Sequence, residues 1–102
     1  MNDRLLSAIS LCRKAGKLKM GSDAVKEEVV DGSAALVLLA NDLASRSDKQ
    51  IRFICEHNKT KVRTLPYPME ELWQVTGKKY GILAVCDKGF AKMIENLLKR
   101  ET

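Results

Sequence analysis

Few residues in this chain have the chemical range to act on a ligand, and most of those are cations. Lys17 and Lys19 precede Gly21-Ser22-Asp23, a turn sequence that can open a helix, and Lys26 follows one turn later. A helix starting there presents free backbone N–H groups and the positive end of its dipole, which suits an anion. A second cluster, Asn41-Asp42-Leu43-Ala44-Ser45-Arg46-Ser47, follows an apolar run, and side chains at a strand's carboxyl end can reach a ligand; Arg46 is its candidate. The third is Val75-Thr76-Gly77-Lys78-Lys79-Tyr80, two lysines between a glycine and an aromatic ring. Each cluster also has a plainer reading: Gly21 permits a turn, Ser22 caps a helix, Arg46 is a solvated first-turn arginine, and Lys78 and Lys79 sit in an ordinary exposed turn.

Catalytic chemistry is much harder to assemble. His57 is the only histidine, and its pairing with Cys55 lacks the further ligands that a zinc site needs. Gly77-Lys78-Lys79 has neither the preceding glycine nor the following hydroxyl of a phosphate-transfer loop. Cys86-Asp87 offers a thiol, but Cys86 ends an apolar run and His57 is the sole imidazole available as a base. The expectation is a protein that is not an enzyme, with no metal and no cofactor. Cys12, Cys55 and Cys86 are odd in number, widely spaced and set in apolar runs, which argues against a disulfide framework and for reduced thiols in the cytoplasm. No charged-then-apolar leader opens the chain and no stretch approaches the roughly 20 apolar residues of a membrane span, so no membrane association is expected.

The 102 residues are sized for one domain spanning 1–102. With 45% apolar and 30% charged residues, an aliphatic core under a well-solvated surface is expected rather than disorder. Eighteen Lys and Arg against thirteen Asp and Glu leave +5, and the pI is near 9.2, a balance that favours polyanionic partners without resembling a histone-like tail.

The elements that must position the three clusters follow from hydrophobic spacing. Leu5, Leu6, Ile9 and Cys12 predict a helix over 3–15, started by Asn2 or Asp3 and ended by Gly16. Lys17 to Met20 alternates as a short strand, and a helix over about 22–31 follows, capped from Ser22-Asp23, with Ala24, Val25 and Val29 apolar and Asp31-Gly32 at its end. Ala34 to Ala40 is an unbroken apolar run, read as a central strand covered on both faces. A third helix, capped by Ser45 or Ser47, carries Ile51, Ile54 and Cys55 as a stripe that Phe53 widens. Val62 and Leu65 mark another strand; Pro68 suits the first residue of a helix with Leu72, Trp73 and Val75, which Gly77 closes. Ile82 to Cys86 is a second buried strand, and Phe90, Met93, Ile94, Leu97 and Leu98 form an amphipathic last helix. The αβαβαβαβα order predicts an α/β fold, a three-layer α/β/α sandwich whose sheet is at least partly parallel.

The run from Ala15-Gly16-Lys17 through Gly21-Ser22-Asp23-Ala24-Val25, followed by the Ala34–Leu39 strand and Ala40-Asn41-Asp42, resembles the L7Ae/L30e ribosomal-protein family. Val85-Cys86-Asp87-Lys88-Gly89-Phe90-Ala91 resembles its small bacterial YlxQ-like branch, and the likeness spans nearly the whole chain. The resemblance implies a mixed four-stranded L30e-like sheet between helices, and an RNA-binding edge at which the three clusters converge. It implies that Lys17, Lys19, Lys26, Arg46, Lys78 and Lys79 hold phosphates, that Gly21, Ser22 and Asp23 form the anion turn, and that Gly77 and Tyr80 cover an unstacked base. The implied partner is structured RNA, ribosomal or translation-linked and kink-turn-like, with ribosomal or translation proteins as further partners and the chain acting as a monomer. The pattern departs at Asp23 and Ala24, where kink-turn binders carry an Asn-Glu pair, at Glu27, where a lysine is expected beside Lys26, and at Trp73 in place of a glycine. Aspartate only accepts hydrogen bonds and alanine makes none, so guanine reading is weakened. A protein-interaction adaptor on the same fold, using apolar surface near Trp73 and Tyr67, is the alternative.

Overall fold

The computed structural model describes residues 3–101. Nine elements follow in order: α1 (Arg4–Lys14), β1 (Leu18–Met20), α2 (Ser22–Asp31), β2 (Leu36–Leu39), α3 (Ser45–His57), β3 (Lys61–Thr64), α4 (Met69–Thr76), β4 (Ile82–Val85) and α5 (Lys88–Glu101). The four strands lie in the order β1-β4-β2-β3. β4 runs antiparallel to both β1 and β2, and β2 runs parallel to β3. The sheet is therefore mixed, as the family resemblance implies.

Every residue of β2 and β4 is buried, because helices cover both faces of the two central strands. Side chains alternate along a strand. Leu36, Leu38, Leu83 and Val85 accordingly face one layer with Leu5, Ile9 and Cys12 of α1, Leu72 of α4 and Ile94 of α5. Val37, Leu39, Ile82 and Ala84 face the other, with Val25 and Val29 of α2 and Ile51 and Cys55 of α3. This is the three-layer sandwich expected from the alternation of elements.

Several local expectations are corrected. Phe53 does not widen the α3 stripe: it is 70% exposed, since it lies about 200° around the helix from buried Ile51. Tyr67 is no surface residue either; it is buried, and its hydroxyl donates to Asp3 Oδ2 at 2.5 Å. Asp3 also caps α1, accepting from the amides of Leu5 and Leu6, while Asn2 lies outside the described residues. The cap of α2 is Gly21 rather than Ser22, because only glycine readily takes its φ of 99°. α3 starts directly after an extended Ala44, so neither Ser45 nor Ser47 is its cap, and Pro68 precedes α4 instead of beginning it.

Candidate nucleic-acid interface

The strand directions decide which loops meet. With β4 antiparallel to its two neighbours, the carboxyl ends of β1, β2 and β3 share one end of the sheet with the amino end of β4. The turn at Gly21, the segment after β2 and the segment 77–81 before β4 all emerge there. Backbone hydrogen bonds tie them together: Gly21 N–H donates to Ile82 O at 3.0 Å and Ala40 N–H to Gly81 O at 2.9 Å. The packing is close. A Cβ on Gly21 would stand 3.2 Å from Tyr80 Cε1, and one on Gly81 would stand 2.9 Å from both Leu43 Cδ1 and Met69 Sδ.

The helix starts divide into two kinds. Carboxylates serve three of them: Asp3 at α1, Asp42 on the Met69 amide of α4 at 2.9 Å, and Asp87 on the Phe90 amide of α5 at 2.8 Å. α2 and α3 have no side-chain cap, and both begin at the loop end of the sheet in the same helical layer. Two positive dipole ends are thus left open side by side. Arg46 is exposed in the first turn of α3, and Lys26 is half-buried one turn into α2. Lys78 and Lys79 are exposed beside the half-buried ring of Tyr80. Their loop is held from below by Thr76, whose buried hydroxyl lies 3.0 Å from Leu72 O and 2.6 Å from Lys78 O. The ion pairs among the described residues, Arg52–Asp48, Lys61–Glu95 and Arg63–Glu95, use none of these cations.

A family model described as ribosomal protein L7Ae/L30e/S12e/Gadd45 matches residues 3–95. The chain belongs to the L7Ae/L30e family. An RNA-binding protein YlxQ from Bacillus subtilis (strain 168) is 33% identical over 95 residues, covering 88% of this chain and 90% of that protein. A second protein of that name, from Enterococcus faecium, is 25% identical over 96 residues, covering 94% and 92%. Within the L7Ae/L30e family the chain thus falls in the YlxQ-like branch. Two solved structures share the fold: a protein with unknown function from Bacillus halodurans C, with a TM-score of 0.90 at 24% identity covering 96% and 99% of the two chains, and a Giardia lamblia 15.5kD RNA binding protein, with 0.76 at 15% identity covering 98% and 89%.

Not every candidate of this L7Ae/L30e chain reaches the loop end. Lys17 lies at the opposite end of β1, its carbonyl accepting from Cys86 N–H at 2.8 Å, and Lys19 stands between, paired with Ala84. The Gly21 amide is spent within the sheet, which leaves Ser22 and the amides behind it for an anion. Asp23 is exposed in the first turn of α2 and Ala24 is half-buried, so the departure from the Asn-Glu pair falls directly at the open helix start. Arg13 was not singled out from the sequence: its guanidinium lies 3.5 Å from Val75 O, and a Cβ on Gly77 would meet it at 3.2 Å. Only tertiary packing of α1 on α4 brings it there, and nothing in its sequence neighbourhood signals it.

Nucleophilic chemistry has no support from the thiols. Burial, strengthened by Asp87 and Cys86, pushes Cys12 up to about 11; burial alone raises Cys55 to about 11 against the pull of Arg52. Cys86 also rises to about 11, through burial and its contact with Glu28, whose Oε1 lies 3.6 Å from the sulfur, against the opposing charges of Lys19 and Lys17. These thiols stay protonated at neutral pH, and a protonated thiol is a poor nucleophile and metal ligand. Among the described residues, no three of His, Cys, Asp and Glu gather into a metal-binding group, and no helix is long and apolar enough to cross a membrane.

Proposed function

We propose that this chain is a non-enzymatic RNA-binding protein that holds structured RNA, ribosomal or translation-linked, as a monomer at the loop end of its sheet. The observation that carries the reading is the pair of uncapped helix starts, α2 with Lys26 and α3 with Arg46, opening beside the converged loops, of which the 77–81 loop bears Lys78 and Lys79. Phosphates are drawn by these charges and by the first amides of α2, from Ser22 to Ala24, and an unstacked base is covered by Tyr80, with the Arg13 guanidinium packed against Gly77 at the turn. The names of the two YlxQ relatives and of the Giardia neighbour support RNA as the partner class. Asp23 and Ala24 remove the donors and acceptors that a guanine edge needs, so binding leans on shape and charge more than on a kink-turn signature.

The deciding experiment compares a kink-turn RNA, an unrelated hairpin and a bulk ribosomal RNA fragment across a salt series. Four to six phosphate contacts predict that log affinity falls with log salt with a slope of about −3 to −5, with little preference for the kink-turn. A flat salt response overturns the reading. A protein partner would then be favoured by the half-exposed Trp73 of α4 and by exposed Leu11 of α1, while buried Tyr67 could take no part.

A further inference from the structure

At the far end of the molecule lies a second cationic surface that the loop clusters do not include. A groove of about 600 Å³ runs between α5, the start of β3 and the segment entering β2, and Lys59, Lys61, Lys88, Lys92 and Lys99 line it with Glu95. Lys61 opens β3, Ala34 and Ala35 lead into β2, and Lys88 follows β4. These are the amino ends of β2 and β3 and the carboxyl end of β4, so the groove faces away from the converged loops. Along α5 the separations of four, three and four residues from Lys88 through Lys92 and Glu95 to Lys99 keep this row on one side of the helix.

Charge in the groove is concentrated and poorly offset. Among the described residues Glu95 is the only acidic one lining it, and Lys61 and Arg63 already engage that carboxylate at 3.9 and 3.7 Å. Lys59, Lys88 and Lys92 are exposed and take part in no ion pair among the described residues. Lys59 occupies a backbone position with φ 57°, where glycine or asparagine is the easier residue, yet a lysine stands there. The floor is made of small residues, Ala34, Ala35 and Ala91, and no aromatic ring lines the groove.

We propose that this groove is a second RNA-contacting surface, which holds a phosphodiester backbone independently of sequence while the loop end engages another segment of RNA. Lysine-lined walls over a shallow alanine floor suit phosphates, whose binding is driven by counterion release. Protein interface cores, by contrast, are enriched in aromatic residues and arginine and depleted in lysine, so an acidic protein is the poorer fit. With lysines outnumbering its neutral polar residues, Thr60 and Asn96, and no aromatic ring to stack on, the groove positions RNA mainly through its phosphates. The inference shares its partner class with the function proposed above but requires nothing of the loop residues.

The test is lysine acetylation of the unaltered protein, read residue by residue by mass spectrometry, with and without a ribosomal RNA fragment and with polyglutamate as a competing polyanion. Lys59, Lys88 and Lys92 should be protected several-fold by the RNA. The variant K59Q/K88Q/K92Q should then flatten the log affinity against log salt slope by about 2 to 3, at roughly 0.7 to 0.9 per lost phosphate contact. Protection of these three lysines without protection of Lys78 and Lys79 would uphold the groove and sink the loop-end reading. Protection of Lys78 and Lys79 alone would overturn the groove and leave that reading standing. Protection at neither surface would overturn both, and protection of the groove by polyglutamate but not by RNA would overturn it in favour of an acidic protein.

Discussion

Gly21 meets two demands at once: a backbone angle of φ 99° that other residues strain to adopt, and a Tyr80 ring where a side chain would go. Gly21→Ala should therefore destabilise the protein by about 1–3 kcal/mol. Urea unfolding reads that loss, and RNA affinity should fall with it because the ring is displaced. Asp23 poses the opposite balance. Its carboxylate favours the positive end of α2 by roughly 0.3–1 kcal/mol but repels any phosphate approaching the same amides. Asp23→Asn should lower the melting temperature slightly and tighten RNA binding several-fold; unchanged binding would show that the phosphate lies elsewhere, and weaker binding that the carboxylate itself accepts from the RNA.

At the level of elements, α4 carries the basic loop into place, and its own start depends on a residue from a different loop. Asp42, just beyond β2, accepts from the Met69 amide, so one carboxylate joins the second cluster to the helix that leads to the third. Asp42→Ala removes that cap and should cost about 1 kcal/mol. Amide hydrogen exchange should speed up at the start of α4 and through residues 77–80, while α2 and α5, which Asp42 does not touch, keep their wild-type rates. A change confined to Met69 would mean that the loop is held from Thr76 alone, through its hydroxyl beneath Lys78.

For the molecule as a whole, the buried thiols couple the two cores to pH. Unfolded cysteines ionise near 9.0, whereas all three in the fold hold their protons up to about 11. Between these values the folded state binds more protons than the unfolded one, so stability falls as pH rises from about 9 toward 11, and below 9 the thiols contribute no pH dependence. Urea midpoints measured at pH 8, 9 and 10 should decline accordingly. Cys86→Ser, at a half-buried position, should make the decline shallower; an unchanged profile would exclude that thiol as a cause.

Much of this architecture was legible in the chain itself. The apolar runs at Leu36–Leu39 and Ile82–Val85 could be buried only between two helical layers, and the spacing of Leu5, Ile9 and Cys12 defines the face of α1 that covers them. Local chemistry also named most of the loop-end cations, because a lysine's charge and a glycine's freedom are properties of the residue. Its limits lie where a property depends on a neighbour distant in sequence. Phe53 and Tyr67 are both large and aromatic, yet helical rotation sends one to solvent and a bond to Asp3 holds the other inside. Lys17 and Lys26 looked equivalent beside Gly21, but the direction of β1 carries Lys17 to the opposite end of the sheet. Arg13 and the lysine-lined groove come from segments far apart in sequence. The layers follow from burial periodicity, which is a local property of the chain; which charges share an edge follows from strand order and direction, which set the distances over which those charges act.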